Sequence, residues 1–315
     1  MQRTAALNVR SSQASLSVRL RKYKWYYFII LPVFSYFVIF HYAPMYGVVV
    51  AFKDYKMSLG IFGSEWVGLK YFRKLVEAPF FWRALKNTLI FALYRMTIVF
   101  AVPIIYALLL NELQHKRFKK TIQTISYLPH FISWIILTGI FIELLSPSRG
   151  FVNYIIQFFG KQPIYFLGDE NYFRGTVVVT GIWQSMGWSS IMYLAAIASV
   201  DQEQYESAYI EGANRFQMAW HITLPSIMGT IVMLYIFAMG GILNSSFDQI
   251  FNMMNDVTRP TGEVIDTYVY NLGLQRFEYS FSTAVGLFKN SVGFILVILS
   301  NYIVRFVGKE EFALW

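Results

Sequence analysis

Two polar patches interrupt apolar stretches of this sequence, Trp183-Gln184-Ser185-Met186-Gly187-Trp188 and Gly240-Gly241-Ile242-Leu243-Asn244-Ser245-Ser246-Phe247-Asp248-Gln249. Indole and phenol rings stack on the apolar faces of sugars while amides and carboxylates bind their hydroxyls, so these residue types suit a saccharide. The plainer reading is packing or interfacial anchoring, which Trp and Gly also serve in membrane helices. Three charges fall within or near the apolar runs, where a charge is costly: Arg95, Glu143 and Lys289. Glu143 sits about one turn from the end of its run and should reach water. Arg95 and Lys289 lie deeper, and either can pair with Asp248 or Glu143 or hydrogen-bond an acidic sugar.

Catalytic chemistry finds less support. The sequence has no G-x-x-x-x-G-K-[ST] phosphate loop and no H-E-x-x-H or other metal-ligand spacing. The four histidines, His41, His115, His130 and His221, each read as interfacial or packed. Zero cysteines exclude disulfides, thiolate metal sites and a Cys nucleophile. Neither ATP hydrolysis nor a resident cofactor or metal is therefore expected in this chain.

The elements that must position these residues are membrane spans. Hydrophobic residues make up 56% of the chain and charged ones 14%, against about 25% charged in a soluble domain, and the mean hydropathy is +0.44. Six apolar runs, near 28–51, 88–110, 124–145, 176–200, 227–243 and 284–306, are each long enough for a hydrocarbon core of about 30 Å. They should be helices, because lipid offers backbone N–H and C=O groups no other partner. The fold class is thus all-α and polytopic, with a tail at 1–24, a membrane domain at 25–307 and a second tail at 308–315. The first run is too long for a cleaved signal peptide, contains Pro32 and Pro44, and precedes no small-residue cleavage site.

The net charge of +9 does not point to nucleic acid. Much of it flanks the spans, as Arg19, Arg21, Lys22 and Lys24 before the first and Lys116, Arg117, Lys119 and Lys120 after the second, which is membrane anchoring. Both clusters fall on the cytoplasmic side if the N-terminus does, as do the loop at 201–226 and the C-terminus. Lys53, Lys56, Lys70, Arg73, Lys74, Arg83 and Lys86 would then face outward. Residues 68–86 accommodate them as an interfacial amphipathic helix, with Leu69, Phe72, Leu75, Val76 and Phe80 on one side and the basic groups among headgroups.

The loop at 201–226 has its own logic. Asp201 with Gln204 forms a capping box that starts a helix over 202–211, and Tyr205, Ala208, Tyr209 and Gly212 recur on one face. The small residues Ala208 and Gly212 let another surface approach, and Gly212 can take the backbone angles that end the helix. Asn214 with Gln217 repeats the box and starts a second helix, ended by Pro225. The result is a helix-turn-helix suited to docking, or more plainly an amphipathic segment on the inner leaflet.

Glu206-Ser207-Ala208-Tyr209-Ile210-Glu211-Gly212, followed nine residues later by Ile222-Thr223-Leu224-Pro225, resembles the EAA loop of ABC-importer permeases, departing only at Ser207, where a second Ala is usual. The run from 181 to 227 is similar to the sugar-permease branch, in particular permeases for oligosaccharides released from complex polysaccharides. The resemblance implies a non-catalytic permease with six spans in the cell membrane, one half of a pore shared with a second, homologous permease subunit. It implies that Glu206, Ala208, Tyr209, Gly212, Ile222, Leu224 and Pro225 couple to ATP-binding subunits, two of which carry the ATP and Mg, by docking into a groove. It implies substrate contacts at Gln184, Ser185, Trp188, Asn244 and Ser245, with Asp248 beside them, and an extracytoplasmic solute-binding protein that delivers an oligosaccharide. A cationic lining from Arg95 or Lys289 would suit an acidic one. Two other classes compete. A polytopic enzyme acting on glycan or lipid needs paired carboxylates or a metal cluster at a span end, and none is evident. An ion-coupled secondary transporter should repeat itself between 28–145 and 176–306, and no such repeat is seen.

Overall fold

The computed structural model of the chain describes residues 22–244 and 246–306. Ser245, residues 1–21 and the tail expected at 308–315 lie outside the described residues.

Nearly all of the described chain is helix. The first long helix, α1 (Lys24–Phe52), leaves its apolar stretch unburied by the rest of the protein, which fits a face turned to lipid or to another subunit, and buries only its last turns, at Val50 and Ala51. A two-residue hairpin follows, β1 (Lys53–Asp54) antiparallel to β2 (Glu65–Trp66) with Lys53 opposite Trp66. Next comes α2 (Lys70–Glu77) and then α3 (Pro79–Asn111). The amphipathic helix expected over 68–86 is therefore two helices. Pro79 disfavours helical backbone in the residue before it, and Ala78 is extended at φ −84, ψ 109. Nor is the whole expected stripe buried: Leu75 is buried and Tyr71 packs against the same apolar cluster, while Leu69, Val76 and Phe80 stay exposed. The Tyr71 hydroxyl donates to Asp54 at 2.5 Å, which holds that carboxyl below its ordinary range, while burial pushes Tyr71 up to about 12.

The third expected span is broken. Helix α4 (Lys116–Phe131) meets α5 (Trp134–Leu144) at 107°. Its last turn, Leu128–Phe131, tightens around Pro129, and Ile132 and Ser133 are extended, so no continuous helix can pass. A short α6 (Phe151–Phe158) precedes α7 (Glu170–Ala198), which Asp169 caps by accepting the Asn171 N–H at 2.8 Å. The loop helices α8 (Gln202–Ile210) and α9 (Arg215–Ser226) come next. Then α10 (Met228–Gly240) leaves α9 at 62°, α11 (Phe247–Met253) and α12 (Ile265–Tyr270) follow, and α13 (Tyr279–Phe306) closes the fold.

By length and apolarity, three described helices can span a membrane, or five if each bent pair counts once, against six expected. The remaining run, 176–200, falls on α7, which is long enough at 29 residues and packs on α3, α4, α10 and α11 at the centre of the bundle. Gly187 matters there: a Cβ would lie 2.2 Å from the Ser126 carbonyl oxygen, so only glycine lets α7 and α4 pack this closely. Three apolar clusters hold the assembly. One joins Phe173, Val177, Ile250 and Val264, a second joins Leu75, Phe81, Ile265 and Val285, and a third joins Ala107, Tyr193, Ile197 and Ile227 beneath the loop helices.

Candidate functional site

Two places in this scaffold gather the residues singled out from the sequence. The first is the loop of α8 and α9. Asp201 caps α8, but through the Glu203 N–H at 3.0 Å, not through a reciprocal box with Gln204. The helix ends at Ile210, one residue short of expectation. Gly212 then takes φ +84, and the Ala213 and Gly212 N–H groups donate back to the Ala208 and Tyr209 carbonyls at 2.9 and 3.0 Å, a glycine-terminated C-cap. Asn214 and Gln217 form the expected box, with bonds of 2.9 and 2.8 Å. Helix α9 runs one residue past Pro225 before the chain bends at Ile227.

The base of this loop is fixed and its tip is free. The Tyr205 and Thr223 hydroxyls hydrogen-bond at 2.8 Å, and Arg215 reaches the Glu112 carbonyl at 3.2 Å and its carboxylate at 3.7 Å, tying the loop to the end of α3. By contrast Tyr209 is 75% exposed, Ile210 86% and Phe216 75%, large apolar groups left uncovered where the chain turns back. The predicted single face of α8 is split. Tyr205, Glu206 and Tyr209 line a recess of about 800 Å³ on one side, while Ala208, Gly212 and Ile222 line one of about 320 Å³ on the other. Leu224 is half-buried and Pro225 exposed.

The second place is a cavity of about 450 Å³ between α3, α7 and the break between α10 and α11. Gln184 and Ser185 come from α7, Asn244 and Ser246 from the break, and Tyr94 and Arg95 from α3. Ser185 donates to the Gly181 carbonyl of its own helix at 2.8 Å, and Gln184 reaches the His130 carbonyl at 3.4 Å. Buried Gln249 donates to the Val177 carbonyl at 2.7 Å and the Thr180 hydroxyl at 3.0 Å, which holds α11 on α7.

Trp188 and Asp248, both singled out from the sequence, do not line this cavity. Trp188 lies flat on His130, with ring centres 4.6 Å apart and planes at 3°, and meets the edge of Phe131, so it braces the bend after α4. Asp248 is exposed in the first turn of α11. Lys289 pairs with Asp266, and Glu143 pairs with Arg149 at 2.8 Å, so neither deep base takes Asp248 or Glu143. Arg95 instead donates to the carbonyls of Gly241, at 3.4 Å, and Asn244, and to the Ser246 hydroxyl at 3.1 Å. Sequence reasoning flagged Arg95 by its charge without assigning it a site. It missed Tyr94, an aromatic in an apolar run with no signal of its own, and did not single out Ser246 within the polar patch that contains it. A π-helical turn at Arg95–Val99 widens α3 at the cavity wall, a feature frequent at functional sites and invisible in composition.

Residues 101–309 match the family described as "Binding-protein-dependent transport system inner membrane component". The chain belongs to that family. It is accordingly a permease, the non-catalytic transport subunit of an ABC importer. It is 45% identical to the polygalacturonan/rhamnogalacturonan transport system permease protein YteP of Bacillus subtilis (strain 168), over 97% of this chain and 95% of that one. It is 28% identical to the arabinooligosaccharides transport system permease protein AraP of Halalkalibacterium halodurans, covering 90% and 89%. Its fold matches a chain from the crystal structure of a bacterial ABC transporter involved in the import of the acidic polysaccharide alginate. That match has a TM-score of 0.86 and 38% identity, covering 93% of this permease and 99% of the other chain. A second match, at 38% identity and a TM-score of 0.85, comes from an alginate ABC transporter in complex with an alginate pentasaccharide-bound periplasmic protein.

Proposed function

We propose that this permease carries oligosaccharides through the cavity between α3, α7 and the α10–α11 break, and that α8 and α9 are its coupling element. The carrying observation is the cavity itself, where Gln184, Ser185 and Asn244, all hydroxyl-binding types, share a lining with the rings of Tyr94 and Trp134 between α3, α7 and the α10–α11 break. Names borne by the relatives support the same substrate class. A solute-binding protein delivers the sugar from outside. A second permease subunit completes the pore, and two ATPase subunits, holding ATP and Mg, engage the exposed tip around Glu206, Tyr209 and Gly212. Binding energy alone cannot pump uphill, so the permease alternates between two states biased by ATP on one side and loaded binding protein on the other. This reading places both termini and the 201–226 loop in the cytoplasm and the chain in the cytoplasmic membrane.

Purification of the complex from native membranes, followed by mass spectrometry of its subunits and bound glycan, tests the proposal. The expected outcome is a second permease, an ATPase and an oligosaccharide of a few units. A complex that assembles and hydrolyses ATP but holds and transports only non-glycan solutes would remove the substrate reading and leave the permease assignment standing.

A further inference from the structure

We infer that Arg95 is the residue that selects a carboxylate-bearing sugar in the cavity, an inference that rests on the oligosaccharide reading above. Arg95 and Lys289 are the two deep basic residues of the spans, and the fold treats them differently. Lys289 is salt-bridged to Asp266. Among the described residues Arg95 meets only neutral oxygens, those of Gly241, Asn244 and Ser246. No Asp or Glu lines its cavity, and Asp266, whose charge reaches Arg95, is already committed to Lys289.

Arg95 is half-buried, and a guanidinium partly withdrawn from water carries a cost unless a counter-charge or a full set of acceptors meets it. The three contacts occupy three of its five N–H donors. Gly241 and Asn244 lie just beyond the end of α10, so Arg95 also acts as a cap on that helix C-terminus. Capping answers the helix dipole but leaves the charge unpaired, and it requires no cavity. Yet the same guanidinium lines a space of about 450 Å³ beside Gln184, Ser185 and Asn244. A planar guanidinium matches a carboxylate in paired, parallel hydrogen bonds, and amides match hydroxyls. A sugar acid offers both groups at once. A neutral sugar offers the hydroxyls and leaves the charge as it was.

The test compares uptake of trigalacturonate with that of the neutral galactose trimer of the same linkage, in liposomes carrying the complete importer. Each rate is divided by the binding protein's separately measured occupancy, which isolates the permease step. Wild type should prefer the acid, and Arg95→Gln should reduce that preference by about ten- to hundredfold, the scale of a charge-assisted hydrogen bond. Arg95→Lys keeps the charge without the fork and should retain part of the preference. An unchanged preference in Arg95→Gln, with both rates lowered together, would make Arg95 a helix cap only and overturn the inference. A wild-type complex with no preference overturns it too, while leaving the oligosaccharide reading intact; one that assembles but imports neither trimer also overturns it, and the oligosaccharide reading then falls only if the complex carries non-glycan solutes alone. If Arg95→Gln does not assemble, Arg95→Lys decides, since a partial fall in the ratio supports the inference and an unchanged ratio with slower uptake of both sugars sinks it.

Discussion

The coupling segment and the membrane cavity differ in how the chain builds them. The first is written in one stretch, 201–226, where each cap, turn and small residue acts on neighbours a few positions away: Asp201 on Glu203, Asn214 on Gln217, Gly212 on the end of its own helix. The second is assembled from α3, α7 and the α10–α11 break, and its polar groups meet across large separations, as Arg95 and Ser246 do across 151 positions. A site made of local contacts can move as one rigid piece. A site made between helices changes shape whenever those helices move, which is what alternating access requires.

The largest expected effect concerns the side on which each region lies, because it is all or none. In this cysteine-free chain, a single cysteine at Ile210, which is 86% exposed, should be labelled by an impermeant reagent only from the cytoplasm. One at exposed Lys161, between α6 and α7, should be labelled only from outside. The reverse pattern would invert the topology and take the coupling role from α8. If both sites are labelled from the same side, the chain crosses the membrane a different number of times between them, and the comparison itself breaks.

Next comes Gly212→Trp. The position needs φ +84, which L side chains rarely adopt, and it borders a recess lined by Ala208 and Ile222. Uptake should fall by more than about a hundredfold while the protein still inserts, because the substitution distorts the C-cap and fills the docking surface. Glu206→Ala, on the other recess, should fall less, because it removes one contact and adds no clash. Co-purification of the ATPase, together with transport, reads the result. Normal uptake in both variants with the ATPase still bound would mean that force enters the permease elsewhere.

How far the sequence revealed each region follows from the same difference. Residues 201–226 were legible nearly throughout because capping and C-cap chemistry are local; the partner of Asp201, the two helix ends, each off by one residue, and the split face of α8 escaped, and the split depends on how α8 lies against α9. Apolarity identified the bundle, but not the 107° bend at Ile132 and Ser133, where a proline and two extended residues outweigh continuous hydropathy. In the cavity, polarity in an apolar run marks the two patches that hold Gln184, Ser185 and Asn244, and the resemblance to sugar permeases singles these three out within them; all three line the cavity. Tyr94 and Trp134 were not singled out, since an aromatic residue in a membrane helix has the same composition whether it faces sugar, lipid or another helix.

Gln184→Ala and Asn244→Ala should each weaken transport of the accepted oligosaccharide by roughly ten- to hundredfold, the equivalent of a buried polar contact of about 1–3 kcal/mol, without releasing the ATPase subunits. Uptake kinetics as a function of loaded binding protein would show it. Unchanged kinetics in both variants would place the sugar's path outside the 450 Å³ cavity.

The smallest effect belongs to Trp188, and it sharpens the boundary of the cavity. Trp188 lies on α7 one turn from Gln184, so sequence spacing treats the two alike, yet its ring stacks on His130 and lines no part of the cavity. Removing that stack costs about 0.5–1.5 kcal/mol. Trp188→Ala should therefore lower the thermal midpoint of the purified complex by roughly a few degrees and slow uptake of acidic and neutral sugars in equal proportion. Gln184→Ala should do the opposite, changing sugar preference with little change in the midpoint. If Trp188→Ala alters preference instead, the ring leaves His130 for the sugar in another state of the transport cycle. The cavity would then extend toward α4 when the permease reorients, and its walls would include the bend that Trp188 braces here.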